Sequence, residues 1–239
     1  MILKPTEAVI LAAGEGKRLR PLTNNTTKAL IKVNGKPLLQ ILIEQLKTVG
    51  ITQIIVVVHH LKNTVISHFG DGSHFGVKLT FVEQKELKGN ANALPYVEPY
   101  IKKERFFLLA IDSLFETDLL KRLLSHQSEG VFTVKEVEDT SRYGTIAVEG
   151  KKVKKIIEKS LHPPSNLANF SVYIVPKEII PECKHVSLSP RGEYEITDAL
   201  QALIDKGMTF EYEKSNYILD IGTPEQLQEA QELAKKFRL

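Results

Sequence analysis

Residues 8–12 form a short, wholly apolar run that breaks off into Leu11-Ala-Ala-Gly-Glu-Gly-Lys-Arg-Leu-Arg-Pro-Leu-Thr23, and this junction restricts what the chain can fold into. An apolar run of that length, closed by glycines, reads as a strand buried on both faces. Such strands belong to sheets covered by helices on each side. Beyond the strand, Gly14 and Gly16 let the backbone turn sharply and approach a ligand closely, because no Cβ stands in the way. Successive backbone N–H groups in a loop of this kind form an anion-binding concavity, and Lys17, Arg18 and Lys28 add full positive charge. The junction is therefore read as a cradle for polyphosphate, against the alternative of a solvated basic turn. Two common phosphate motifs are not met. Leu19 stands where the dinucleotide fingerprint needs its third glycine, and Leu11 and Arg18 break the P-loop pattern.

The remainder of the chain alternates strands with helices. Apolar, β-branched runs predict strands over residues 54–58, 78–83 and 105–111. Spacings of three and four residues predict helices from Pro37 to Gly50, over 63–69, 90–97 and 117–126. This order argues for an α/β fold with a largely parallel sheet. The second half is richer in strands, expected over 131–135, 145–148, 153–158, 170–175, 209–213 and 217–219. Helices are expected over 176–180, 193–206 and from Thr223-Pro224 to 237. No linker or internal repeat divides the chain, so one domain over 1–239 is expected.

In a parallel sheet ligands bind beyond the carboxyl ends of strands, which singles out the residues just after each strand. Asp112 ends one strand and Asp220 lies where another meets a turn. Each has a bland reading as a helix cap. Together, beside a cationic phosphate loop, they suggest a hard divalent cation held by two carboxylates and substrate phosphates. Glu158-Lys159 closes a further strand, a weak signal on its own. The adjacent His59 and His60 lack metal-ligand spacing and are read as incidental.

Composition excludes several other classes. Lys and Arg total 32 against 29 Asp and Glu, far from the basic stripe of a nucleic-acid binder. With 7% aromatics and no Trp, there is no evident base-stacking platform. The single Cys183 allows no intramolecular disulfide and no multi-cysteine metal site, which fits a reducing compartment. Residues 1–6 show no secretory leader, and no apolar run approaches the roughly 20 residues that span a bilayer. A cytoplasmic protein is expected, with no membrane or nucleic-acid partner; self-association into a homo-oligomer is compatible with the sequence.

The ordered set of motifs resembles one family. Residues 11–23, Lys28 and Val33-x-Gly-Lys-Pro-Leu38 look like the signature of the NDP-sugar pyrophosphorylases, the sugar-1-phosphate nucleotidylyltransferases. Glu83-Gln84 with Gly89, Ser141-Arg-Tyr-Gly144, Ile157-Glu-Lys159, Gly192-Glu-Tyr-Glu-Ile-Thr-Asp198 and Asp220-Ile-Gly-Thr-Pro224 follow in family order. The resemblance implies a Rossmann-like three-layer sandwich with a mixed, mostly parallel central sheet, and a β-rich sugar-binding part in the second half. The nucleotide-binding half would cover about 1–115 and the sugar-binding half about 116–239.

It also implies Mg²⁺-dependent transfer of a nucleotidyl group from an NTP to a sugar 1-phosphate, with glucose 1-phosphate and UTP or dTTP the preferred pair. Arg18 and the Gly14–Gly16 amides would hold the β- and γ-phosphates, with Lys17 beside them, and Lys28 the α-phosphate. Asp112 and Asp220 would hold Mg²⁺. Gln84 and Gly89 would read the base, next to the backbone of Leu11 and Ala13. Lys159 would bind the sugar phosphate, with Glu158, Gly144, Asn169 and Tyr173 at the sugar. Ile111, Asn90, Thr27, Ser171 and Ile218 depart from the usual family residues and bear on base and sugar identity. The chain ends at Leu239, so no attached β-helical acetyltransferase is expected. The rival readings are a non-catalytic nucleotide or nucleotide-sugar sensor on the same fold, and a transferase acting on another phosphate acceptor: a mannose, heptose or amino-sugar phosphate, or a phosphoalcohol.

Overall fold

The computed structural model describes residues 3–239, so the first two positions of the segment searched for a leader lie outside the described residues. Strand β1 (Glu7–Leu11) leads into the glycine loop, and a hairpin follows, β2 (Lys32–Val33) and β3 (Lys36–Pro37). Asn34 and Gly35 join them with φ of 49° and 82°, the backbone that an Asn-Gly hairpin turn requires. Then come α1 (Leu38–Thr48), β4 (Gln53–Val58), α2 (Lys62–Phe69), β5 (Lys78–Glu83), α3 (Leu94–Val97), β6 (Arg105–Ala110), β7 (Ser113–Phe115) and α4 (Asp118–Leu123). The second half comprises β8 (Gly130–Glu136), β9 (Gly144–Glu149), β10 (Lys152–Glu158), β11 (Leu167–Pro176), α5 (Ile179–Cys183), α6 (Ile196–Asp205), β12 (Phe210–Lys214), β13 (Ile218–Asp220) and α7 (Pro224–Phe237).

Nine strands form one sheet in the order β5-β4-β1-β6-β11-β8-β12-β10-β9. The first four run parallel, as expected. The rest do not: β11 lies antiparallel to β6, β8 and β9, and β10 antiparallel to β9 and β12, with only β8 and β12 parallel. The sheet is mixed, not mostly parallel. One reversal is a hairpin, where β9 returns into β10 over Gly150 and Lys151; the others arise where β11 and β12 insert among strands distant in sequence. Strand β11 also bonds β9 beside its bonds to β6 and β8, so β11, β8, β12, β10 and β9 close a ring with no free edge between them.

Strict alternation puts the sheet between two apolar cores. Ala8 and Ile10 of β1 face one, with α1, α2, α4 and α7; Val9 faces the other, with α3, α5 and α6. Two local expectations need correction. The predicted helix over 176–180 starts three residues later: Pro176 closes β11, and α5 starts at Ile179. The predicted helix over 193–206 starts three residues later, because residues 193–195 stay out of the helix beside the loop after β5.

Gly130 sits opposite Phe210 where β8 meets β12, and a Cβ there would lie 2.1 Å from the Phe210 ring. Phe210 is fully buried and has nowhere to go. Gly130→Ala is expected to destabilise the fold by about 1–3 kcal/mol. An unchanged denaturant midpoint would contradict that packing.

Candidate active site

The loop after β1 is shaped by one glycine more than the other. Gly16 takes φ 64°, and a Cβ on it would stand 3.0 Å from Thr23 and 3.3 Å from Lys28. Thr23 Oγ1 donates to its carbonyl at 2.8 Å. Gly14 has no positive φ, and a Cβ there would meet open space. Its contribution is therefore room at the cavity wall and not a turn. The cavity, of about 460 Å³, is lined by Leu11, Ala13, Gly14, Gly16, Lys17, Arg18, Lys28, Gln84, Gly89, Asp112 and Tyr173 among others. The three loop cations are not equivalent. Lys17 pairs with Glu15 at 2.9 Å on the exposed rim. Lys28 is buried and pairs with Asp112 at 2.5 Å. Arg18 has no carboxylate partner among the described residues, and its guanidinium packs over Gly222, where a Cβ would lie 3.1 Å from Nη2.

The two aspartates come together through a strand pairing absent from the sequence reading. Strand β7, immediately after Asp112, pairs antiparallel with β13, so that Ser113 faces Asp220. Ile221 N–H donates to the Asp112 carbonyl at 2.8 Å, and Ser113 Oγ to Asp220 Oδ1 at 2.9 Å. Neither carboxylate caps a helix. Burial, reinforced by the Asp112 charge, pushes the Asp220 carboxyl up to about 7, against the pull of Ser113, Lys28 and Arg18. Two hard-oxygen ligands crowded beyond the strand ends suit a divalent cation. Among the described residues no cluster of three or more His, Cys, Asp or Glu is set for a metal. An ion held here would complete its shell from substrate oxygens and water.

At one side of the cavity, Gln84 is buried and its Nε2 donates to Gly89 O and Asn92 Oδ1, both at 3.1 Å. Gly89 must be glycine: its φ is 106°, and a Cβ would stand 2.4 Å from the Tyr194 carbonyl. Ala91 N–H donates to that carbonyl, Tyr194 N–H to Lys88 O, and Ile196 N–H to Asn90 Oδ1. The loop after β5 is thus stitched to the start of α6.

At the other side, sheet register gathers the expected sugar residues. Gly144 of β9 is opposite both Asn169 of β11 and Glu158 of β10. A Cβ on Gly144 would stand 2.9 Å from Glu158 Oε2. Asn169 Nδ2 donates to the buried Tyr173 hydroxyl at 2.6 Å, leaving Asn169 Oδ1 buried without a partner. Burial holds the Tyr173 phenol far above its ordinary range. Burial, with Glu195 nearby, also raises the Glu158 carboxyl against the opposing charges of Lys159 and Arg191. Lys159 is exposed, takes φ 43°, and its N–H bonds Tyr143 O. Gly144, Glu158, Lys159 and Asn169 do not line the 460 Å³ cavity; Tyr173, which does, joins their cluster to it. Sequence reasoning missed Ser113 and Arg191. Arg191 reaches Glu158 and Glu195 from an exposed loop that carries no periodic signal.

The fold agrees with comparison to known proteins. The nucleotidyl transferase family signature matches residues 7–236. This chain belongs to that family. The nucleotidyl transferase is 38% identical over 233 residues to the UTP–glucose-1-phosphate uridylyltransferase AglF of Haloferax volcanii, covering 95% of each chain. It superposes on a UDP-glucose pyrophosphorylase complexed with UDP-glucose with a TM-score of 0.85 at 25% identity, over 97% of this chain and 99% of that one. The inositol-1-phosphate CTP transferase of T. maritima gives 0.84 at 25% identity, over 99% and 97%. The chain spans about half the length of the bifunctional archaeal GlmU relatives, 53% of the Methanocaldococcus jannaschii protein. No helix among the described residues is long and apolar enough to cross a membrane.

The crowding of the two aspartates has a thermal signature. A carboxyl raised in the folded state costs stability once it ionises, so the penalty appears as pH climbs from the ordinary carboxylate range through about 7. Asp220→Asn, which can still accept from Ser113, is expected to melt above the parent protein at pH 8. The difference should close at about pH 4, where Asp220 is largely protonated. A melting temperature at pH 8 no higher than the parent's would refute the raised Asp220 carboxyl.

Proposed function

We propose that this nucleotidyl transferase joins a uridylyl or thymidylyl group from UTP or dTTP to a sugar 1-phosphate, with glucose 1-phosphate preferred, and releases pyrophosphate. The observation that carries this is one cavity bordered by Arg18, by the buried Lys28 paired with Asp112, and by the buried Gln84 amide, with Asp220 held beside Asp112. In-line attack of a phosphate oxygen on the α-phosphate asks the protein for positioning and charge stabilisation more than for covalent chemistry. Arg18 and the loop amides around Gly14 and Gly16 would grip the β- and γ-phosphates, and Lys17 would stay at the rim with Glu15. Lys28 would lie against the α-phosphate, where negative charge develops. Asp112 and Asp220 would hold Mg²⁺, which would supply charge neutralisation to the phosphates.

The base preference follows from Gln84. Both hydrogens of its amide are committed to Gly89 and Asn92, which leaves Oε1 as an acceptor. An acceptor pairs with the N3–H of uracil or thymine and not with the bare N3 of cytosine. On the other side, Lys159 would take the sugar phosphate, while Gly144, Glu158, Asn169 and Tyr173 would read hydroxyls. The unpartnered Asn169 Oδ1 is a free acceptor for one of them. With this reading goes a Rossmann-like three-layer sandwich acting as one domain in the cytoplasm, supported by apolar cores on both sheet faces.

Pyrophosphate release, measured over a panel of NTPs and sugar or alcohol phosphates with Mg²⁺, tests the reading. Turnover is expected with UTP or dTTP and glucose 1-phosphate. Folded protein that turns over no pair would favour the sensor reading. Lys159→Ala should raise KM for the sugar phosphate by about tenfold or more, the cost of a lost charge-assisted bond, with KM for the NTP nearly unchanged. Asp112→Asn should abolish metal-dependent turnover. Parental rates in either variant would remove that residue's role.

A further inference from the structure

We infer that His59 is a positioning residue for base recognition, holding Gln84 in place through a hydrogen bond from its imidazole to the Gln84 carbonyl. The inference rests on Gln84 reading the base. His59 Nδ1 lies 2.7 Å from Gln84 O. A carbonyl only accepts, so Nδ1 carries the proton and donates.

The contact replaces a missing rung of the sheet. Val58 opposite Glu83 is the last pair of the parallel β4–β5 ladder, and Gln84 N–H still bonds Val58 O at 2.9 Å. One residue further the ladder has no donor to offer, because β4 ends and the chain swings into α2 at Leu61, with φ 54°. A leucine in the left-handed region is costly, on the order of 1–2 kcal/mol, and such strain gathers at functional sites. The turn is tied to the end of β5 twice, by His59 to Gln84 and by the Lys62–Glu83 ion pair. Gln84 is then fixed at every polar group but one. Its N–H, its C=O and its Nε2 all have partners, and only Oε1 is left for a ligand. His60, next in sequence, is exposed and takes no part in this bond. Losing the imidazole would leave a carbonyl without its donor beside a buried side chain. The expected result is a looser Gln84, weaker nucleotide binding and poorer discrimination between bases.

The test compares the full-length parent, His59→Ala, His59→Asn, Gln84→Ala and the His59→Ala/Gln84→Ala double variant. Melting temperature is measured with kcat and KM for UTP, CTP and glucose 1-phosphate. His59→Ala is expected to raise KM for UTP about tenfold, the loss of one partly buried hydrogen bond, and to narrow the preference for UTP over CTP. Its kcat and its KM for glucose 1-phosphate should stay near the parent's. His59→Asn, whose amide N–H can occupy the Nδ1 position, should recover most of the loss. On the Gln84→Ala background, removing His59 should have no further effect. The inference is overturned by an unchanged KM for UTP in His59→Ala, by full additivity in the double variant, or by an equal loss for all substrates. If Gln84→Ala leaves UTP use and the UTP preference intact, base reading by Gln84 fails and the role of His59 fails with it. An impaired Gln84→Ala beside a normal His59→Ala defeats His59 alone. Imidazole ¹⁵N shifts of the parent protein provide a readout independent of variant folding. A proton on Nδ1 is expected, and a neutral ring protonated at Nε2 overturns the contact.

Discussion

Two carboxylates are forced together in this protein, and much of the site is arranged around the cost. The β7–β13 pairing fixes Asp112 and Asp220 as neighbours, locked by the Ile221 bond to the Asp112 carbonyl. Burial, and then the like charge of Asp112 close by, disfavour ionisation of Asp220, and its carboxyl is raised accordingly. Lys28 lies against Asp112 and Ser113 against Asp220. Arg18, over Gly222, adds positive charge from the opposite wall. Such an arrangement sacrifices stability at neutral pH, and it suits a site that binds a divalent ion and phosphates.

The rest of the molecule brings the groups proposed to read the base and the acceptor to either side of that charged centre, by different means. On the nucleotide side the means is a loop pinned by backbone hydrogen bonds, with Gly89 pressed against Tyr194 where no side chain fits. On the acceptor side it is strand register: Asn169, Gly144 and Glu158 share a row because β11, β9 and β10 close a ring. The base loop is also joined to α6, since the segment that clamps Gly89 continues into it through Ile196, whose N–H is held by Asn90, and α6 meets β10, where Gln201 Oε1 accepts from Ile156 N–H.

Local sequence was informative wherever short-range chemistry decides the outcome. The Asn34-Gly35 hairpin, the helix stopped by Gly50 and the Thr223 cap of α7, whose Oγ1 accepts from Gln226 N–H, all follow from turn geometry, periodicity and capping. The cationic glycine loop could be recognised for the same reason, although its two glycines proved to act differently. Sequence reasoning failed where partners are distant. Nothing near Asp112 announces β7, a three-residue strand whose partner lies more than a hundred positions away. Likewise His59 has no local sign of a partner, because its hydrogen bond crosses to the end of β5.

By itself the sequence determined that strands and helices alternate, that a cationic glycine loop follows the first strand, and which acidic and cationic side chains are available, since each depends on neighbours within a few residues. Only the tertiary structure decided how they combine. It turned an expected mostly parallel sheet into a mixed one, brought Asp220 to Asp112, paired Lys28 but left Arg18 without a carboxylate partner among the described residues, and aligned Gly144, Glu158 and Asn169 across three strands. The physical reason is that strand register and charge proximity are set by long-range pairing and packing, which local sequence pattern does not encode.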